Sequence, residues 1–236
     1  EEFFAYVPNL VFDNLTNLTD PTFDHKFYVD LTPTIADVDF SGITKMLVGG
    51  LGKGGRGYYA LDITNVATSG VIYPLDETDL ASMVMWEFPN FATPNTVVAD
   101  LGYSYSKAEV VKSYAPGHPS ILIFGNGYDS TNGKAVLFIL DPETGQLIKR
   151  IDTGAGGLCN GLSTPVAVDV DYDDTVDYVY AGDLEGNLWK FNLTSDDPAD
   201  WDVAYSEGGT KTPLFKTYSQ PITTRPDVMY HCEKDG

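Results

Sequence analysis

The sequence predicts an all-β protein built from β-propeller blades of four antiparallel strands. Three observations carry that prediction. A strand–hairpin–strand pattern occurs three times and begins a fourth time. Each occurrence sets a Gly-containing turn between its two central strands. Long helical periods are absent from the 236 residues, whereas Gly, Tyr, Phe, Val and Thr are abundant. Four short antiparallel strands per ~50–80 residues mark a propeller blade, and such a blade buries its faces only against neighbours. Propellers usually close with about four to eight blades. The expectation is therefore that residues 1–236 are a fragment of a larger propeller. Blade-like repeats are placed at about 30–90, 100–153 and 160–218, with a fourth starting at 220.

Taken in order, the chain opens with aromatics among turn formers. Phe3, Phe4, Tyr6 and Val7 are predicted as one strand, and residues 10–18 as irregular or short helical. In the first repeat, residues 33–39 lead, 45–50 and 57–62 form the hairpin, and 83–88 (MVMWEF) supply the fourth strand. The second repeat places the same parts at 106–111, 121–126, 135–141 and 147–152. The third places them at 164–171, 178–183, 187–192 and 214–218 (LFKTY). A fourth copy starts at Gln220 (QPITTRP). The Gly cluster at 49–57 lacks the GxxxxGK[ST] pattern and a following helix, so it reads as a long hairpin turn rather than a phosphate cradle. Residues 141–145 (DPETG) are a type I turn signal, and 154–157 read as an inter-blade loop. Residues 196–200 read as a solvated acidic loop with a helical turn up to Trp201. Trp189 is expected between blades, and the Trp86 strand in the core.

Formal net charge is −20, from 34 acidic and 14 basic residues, which opposes a nucleic-acid partner and favours cation binding. No run of about 18 apolar residues occurs, so no transmembrane helix is expected. No signal peptide is evident, and the start at Glu1 reads as a mature product or a fragment. Cys159 and Cys232 lie outside any CxxC pair, which argues against zinc. A disulfide between them fits an oxidising compartment; the alternative is two buried thiols. Asn14, Asn17 and Asn192 each open an N-L-T sequon, a match that is common by chance.

The most informative stretch is 169–193, DVDYDDTVDYVYAGDLEGNLWKFNL. Asp169, Asp171, Asp173 and Asp177 fall at positions 1, 3, 5 and 9 of a short loop, and Thr175 at position 7 offers a backbone carbonyl. Alternate acids in a tight loop aim oxygens at one centre, and a hard cation such as Ca²⁺ resolves their repulsion with oxygen ligands at about 2.3–2.6 Å. Two EF-hand features are missing: position 6 is Asp174, not Gly, and position 12 is Tyr180, not Glu. The reading is an EF-hand-like Ca²⁺ loop inserted before a β-hairpin; the alternative is a solvated acidic turn.

Three motifs carry a family resemblance. They are Phe4-Ala-Tyr-Val-Pro8 followed by His25 and Tyr28-Val-Asp30; residues 47–64 (LVGGLGKGGRGYYALDIT); and Gly161-Leu-Ser163 with 169–193. Together they resemble the C-terminal β-propeller of the PilC/PilY family, the type IV pilus tip-associated adhesin and biogenesis proteins. The resemblance spans about residues 3–193, and Gln220-Pro-Ile-Thr223 extends it. It implies a modified quinoprotein-like propeller, extracellular at the pilus tip, with pilins or minor pilins as partners and host or abiotic surfaces as adhesive targets. It also implies a Ca²⁺ loop whose occupancy is tied to pilus extension and retraction, with Asp169, Asp171, Asp173, Asp177 and the Thr175 carbonyl as ligands. Family members often carry Asn or Ser at some of these positions; all four side chains here are Asp. The remaining blades and the variable N-terminal adhesive region of the family are expected to lie outside this chain.

The expected role is a calcium-binding, non-catalytic module. Two other classes compete with it: a quinoprotein-type dehydrogenase, and a purely structural interaction propeller. Adjacent cysteines that stack on a quinone are missing from the sequence, which weighs against the enzyme. His25, His118 and His231 sit in separate contexts, so no nucleophilic triad is predicted.

Overall fold

The computed structural model describes residues 4–67, 76–157 and 159–229. Blade 1 runs β1 (Thr34–Phe40), β2 (Ile43–Gly50), β3 (Tyr58–Asp62) and β4 (Val84–Phe88), paired antiparallel in chain order. Blade 2 repeats the order with β5 (Glu109–Lys112), β6 (Ser120–Gly125), β7 (Lys134–Leu140) and β8 (Leu147–Gly156). Blade 3 has β9 (Val166–Val168), β10 (Tyr178–Gly182) and β11 (Asn187–Asn192). Its outer position is shared by β12 (Asp202–Val203) and, beyond the small hairpin of β13 (Ser206–Glu207) and β14 (Thr210–Lys211), β15 (Phe215–Lys216).

Side chains alternate across a strand, so a central blade with neighbours on both sides needs apolar residues at every position. β6 (SILIFG) and β7 (KAVLFIL) meet that demand and are buried along nearly their whole length. Leu122, Phe124, Val136, Phe138 and Leu140 face blade 1 and pack with Met46, Val48, Tyr58, Trp86 and Phe88. Ile121, Ile123, Ala135, Leu137 and Ile139 face blade 3 and pack with Val179, Ala181, Trp189, Phe191 and Trp201. Trp189 is thus an inter-blade residue, as predicted. In the first interface Phe124 stacks on Phe138 at 5.4 Å with an 8° interplanar angle, and Tyr58 lies 4.2 Å from Phe124. Removing one such ring from a closed core costs about 3–5 kcal/mol.

Buried polar residues fix how the blades meet. Asn126 and Asp183 occupy equivalent positions just after β6 and β10, and both are fully buried. Asn126 Nδ2 donates to the carbonyls of Asp100 (2.7 Å) and Lys134 (2.8 Å), while its Oδ1 accepts from the amides of Val136 and Leu162. Asp183 Oδ2 accepts from Asn160 Nδ2, Asn187 Nδ2 and Trp189 Nε1, and its Oδ1 from the Asn187 amide. These bonds tie the end of a second strand to its own hairpin, to the segment that opens its own blade (Asp100, Asn160) and, through Leu162, to the opening of the next blade. The approach is close: a Cβ on Gly127, whose φ is +70°, would lie 1.9 Å from the Tyr103 carbonyl oxygen. Only glycine fits there.

Three expectations are corrected. Residues 4–8 form no strand; Phe3 lies outside the described residues. Pro8 and the polar anchor explain this: Tyr6 Oη donates to Glu87 Oε1 at 2.6 Å, and the Glu87 carboxylate also accepts the amides of Asn9 and Leu10 at the start of the short helical stretch 9–19. The outer strand predicted at 214–218 is split: the 3₁₀ turn Pro198–Asp200 leads into β12, and the inserted hairpin diverts the chain between β12 and β15. Residues 154–156 extend β8 instead of forming a loop. No strand occurs among residues 220–226, where Ile222 packs against Gly182 as Leu162 and Ser163 pack against Gly125, Ile222 donates to the Asp183 carbonyl, and Arg225 grips both Glu109 oxygens at 3.2 and 3.0 Å. The long 51–57 turn, the 141–145 turn and the helical turn before Trp201 occur as predicted.

Asp183→Ala strands buried donors on Asn160, Asn187 and Trp189. Urea unfolding is expected to show a loss of about 3 kcal/mol with an unchanged slope; a loss below about 1 kcal/mol would refute the joint's role.

Candidate metal centre

The loop 169–177 joins the first two strands of blade 3. Asp169 follows β9 directly, and the Asp177 amide donates to the Val168 carbonyl at the mouth of β10. Both ends are therefore fixed by the sheet. Within the loop, carboxylates satisfy the backbone. Asp169 accepts the amides of Tyr172 (2.7 Å) and Asp174 (2.8 Å), Asp173 that of Thr175 (2.8 Å), and Asp177 Oδ2 that of Val170 (2.7 Å). Tyr172 and Asp174 adopt positive φ (65° and 70°), reversing the chain twice in three residues. Asp tolerates this conformation better than most side chains.

The result is a convergent set of oxygens. One carboxylate oxygen from each of Asp169, Asp171 and Asp177 lies within 4.8 Å of the other two. Oxygens sharing one Ca²⁺ at 2.3–2.6 Å lie at most about 5 Å apart, so the trio fits a hard cation. Asp177 is nearly buried (7% exposed), whereas Asp171 faces solvent. Desolvation, and then the charges of Asp173 and Asp177, push the Asp171 carboxyl above its ordinary value, a sign of like charges held close.

Of the five predicted ligands, the structure gathers these three. Asp173 lies outside the trio, with its Oδ2 accepting from Tyr114 Oη at 3.0 Å. Thr175 is half-buried at the loop exit, bridged in parallel to Lys112. Cys159 is exposed, which corrects the buried-thiol alternative for that residue, and its predicted partner Cys232 lies outside the described residues.

Sequence reasoning missed Tyr114 and Lys112. Both come from blade 2, and Tyr114 sits in the SYAPGHP turn after β5, where nothing local signals a role 59 residues away. A cavity of about 760 Å³ lies between the leading strands beside the loop, with Asp39, Glu109, Lys112, Asp169, Asp174 and Val176 among its walls. His25 meets Phe27 edge-on at 4.9 Å, His118 Nδ1 lies 3.5 Å from Asp141 Oδ2, and His231 is outside the described residues. No helix of the described residues is long and apolar enough to cross a membrane.

Known proteins share this chain's sequence and shape. Residues 4–236 match the family model of the PilY1 beta-propeller domain. The chain is 41% identical over 240 residues to a type IV pilus biogenesis factor PilY1 homolog of Xylella fastidiosa (strain Temecula1), covering 94% of this chain and 15% of that protein. It is 39% identical over 261 residues to the type IV pilus biogenesis factor PilY1 of Pseudomonas aeruginosa (strain PAO1), covering 100% of this chain and 20% of that protein. The crystal structure of the Pseudomonas aeruginosa PilY1 C-terminal domain superposes with a TM-score of 0.75 at 32% identity, over 98% of this chain and 46% of that one. The chain thus spans about a fifth or less of the curated relatives' length. Repeated blades, sequence identity and superposed structure agree that the chain belongs to the PilY1 beta-propeller domain family.

Proposed function

We propose that this chain is a calcium-binding, non-catalytic propeller module of a type IV pilus tip-associated protein. It acts in pilus biogenesis, including extension and retraction, and in surface adhesion. Its place is extracellular, at the pilus tip, with pilins or minor pilins as partners and a host or abiotic surface as the adhesive target. The observation that carries the ion is the trio of carboxylate oxygens within 4.8 Å, on a loop anchored at both ends by the sheet. Asp169, Asp171 and Asp177 hold the ion, with Asp173 and the Thr175 carbonyl completing the set. Calcium would cancel the repulsion among these carboxylates and would set the loop rigidly on blade 3. The names of the relatives, pilus biogenesis factors, support the pilus role and favour a module without catalysis.

Calorimetric titration of the chelated protein with Ca²⁺ is expected to give one stoichiometric site, abolished in Asp169→Ala/Asp177→Ala. At Ca²⁺ 100-fold above Kd, binding adds about 2.7 kcal/mol of stability, or roughly 5–10 °C in Tm. No heat with either protein leaves a structural propeller with an acidic turn.

The pH dependence follows from Asp171. Its carboxyl is raised in the folded state by desolvation and by the neighbouring carboxylates, so it favours folding of the ion-free protein at low pH, and this contribution fades as pH rises through the raised value. Protons and Ca²⁺ compete for the same oxygens. The calcium-induced rise in Tm is expected in full at pH 7 and nearly gone at pH 4. A rise of equal size at both pH values would place the ion elsewhere.

A further inference from the structure

The ion loop leans on the neighbouring blade as well as its own. The Lys112 carbonyl, at the end of β5, accepts the Val176 amide at 3.0 Å, and Lys112 Nζ lies 3.5 Å from Asp174 Oδ2. Two residues on, Tyr114 Oη lies 3.0 Å from Asp173 Oδ2 and 3.2 Å from Asp177 Oδ1. A single phenolic proton therefore serves two carboxylates that otherwise repel. A phenol is protonated at neutral pH, so Tyr114 is the donor in both contacts.

We propose that Tyr114 is a positioning residue for the ion loop, supplied by blade 2, and that it couples calcium binding to the junction between blades 2 and 3. The inference rests on the loop taking calcium. Asp177 shows the geometry best: Val170 N holds one oxygen and Tyr114 the other, so its carboxylate plane is fixed from both sides. Ligands already oriented by outer donors cost less to order when the ion arrives. Coupling of this kind is reciprocal: if the Tyr114 contact strengthens calcium binding, bound calcium strengthens the contact, and with it the connection 113–119 that carries Tyr114. That connection is already braced locally, with Ser113 Oγ donating to the His118 carbonyl and the His118 amide to that of Ala115. It can therefore respond as one unit.

The test compares the intact protein with Tyr114→Phe, which keeps the ring and deletes the donor. Calcium calorimetry is expected to show binding weakened roughly tenfold in Y114F, with unchanged far-UV circular dichroism. Amide hydrogen exchange across 113–119 is expected to slow on calcium addition in the parent but not in Y114F. Packing alone cannot produce this pair of results. Equal or tighter binding in Y114F overturns the positioning role. Unslowed exchange at 113–119 in the parent overturns the coupling, and this measurement needs no variant, so it stands even if Y114F is unstable. Absence of calcium binding in the parent overturns the ion reading itself, and is distinguishable from the other two outcomes.

Discussion

The structure depends on the fact that the central blade has no outside. β6 and β7 carry apolar side chains on both faces, and a four-stranded sheet of that kind is insoluble alone. Covering it forces blade 1 onto one face and blade 3 onto the other. The two clusters divide the same two strands by parity, with even positions of β6 and β7 facing blade 1 and odd positions blade 3. Hydrophobic burial is non-directional, so it brings the blades together without fixing their register. Direction comes from Asn126, which takes the Leu162 amide where blade 3 opens, and from Asp183, which takes the Asn160 side chain from the segment joining blades 2 and 3.

The ion loop inherits its geometry from this stacking. Its ends are strand residues of blade 3, and its flank rests on the end of β5 in blade 2. A free nine-residue acidic segment would spread its charges apart. Here the backbone amides of Val170, Tyr172, Asp174 and Thr175 each donate to a carboxylate, which offsets part of the repulsion and keeps the oxygens convergent. Charge density is thus sustained by neutral donors placed by the fold.

Much of this was legible in the sequence, and the legible parts share a cause. Period-two patterns and Gly turns are local, so eleven of the twelve blade strands, the turns at 51–57 and 141–145, and the inter-blade place of Trp189 could be read directly. Spacing likewise revealed the acidic loop. What failed was decided at a distance. Aromatic and β-branched residues at 3–7 suggested a strand, but Glu87, about 80 residues away, holds that segment in another conformation. The LFKTY segment has strand composition, yet an inserted hairpin leaves it only two paired residues. Tyr114 belongs to a turn whose sequence says nothing of the loop it meets. Spacing also could not tell that Asp173 would accept a hydrogen bond from a tyrosine of blade 2.

The divided outer strand of blade 3 has a consequence for self-association. A continuous outermost strand offers a row of free amides and carbonyls on which a foreign strand can grow. β12 and β15 each pair over only two residues, and β13–β14 folds between them. Lys211, near this rim, donates to Asp202 and to the Asp152 carbonyl of blade 2, drawing the insert back against its neighbour. The outer rim of blade 3 is therefore a poorer template for fibril-like growth than an unbroken outermost strand such as β8.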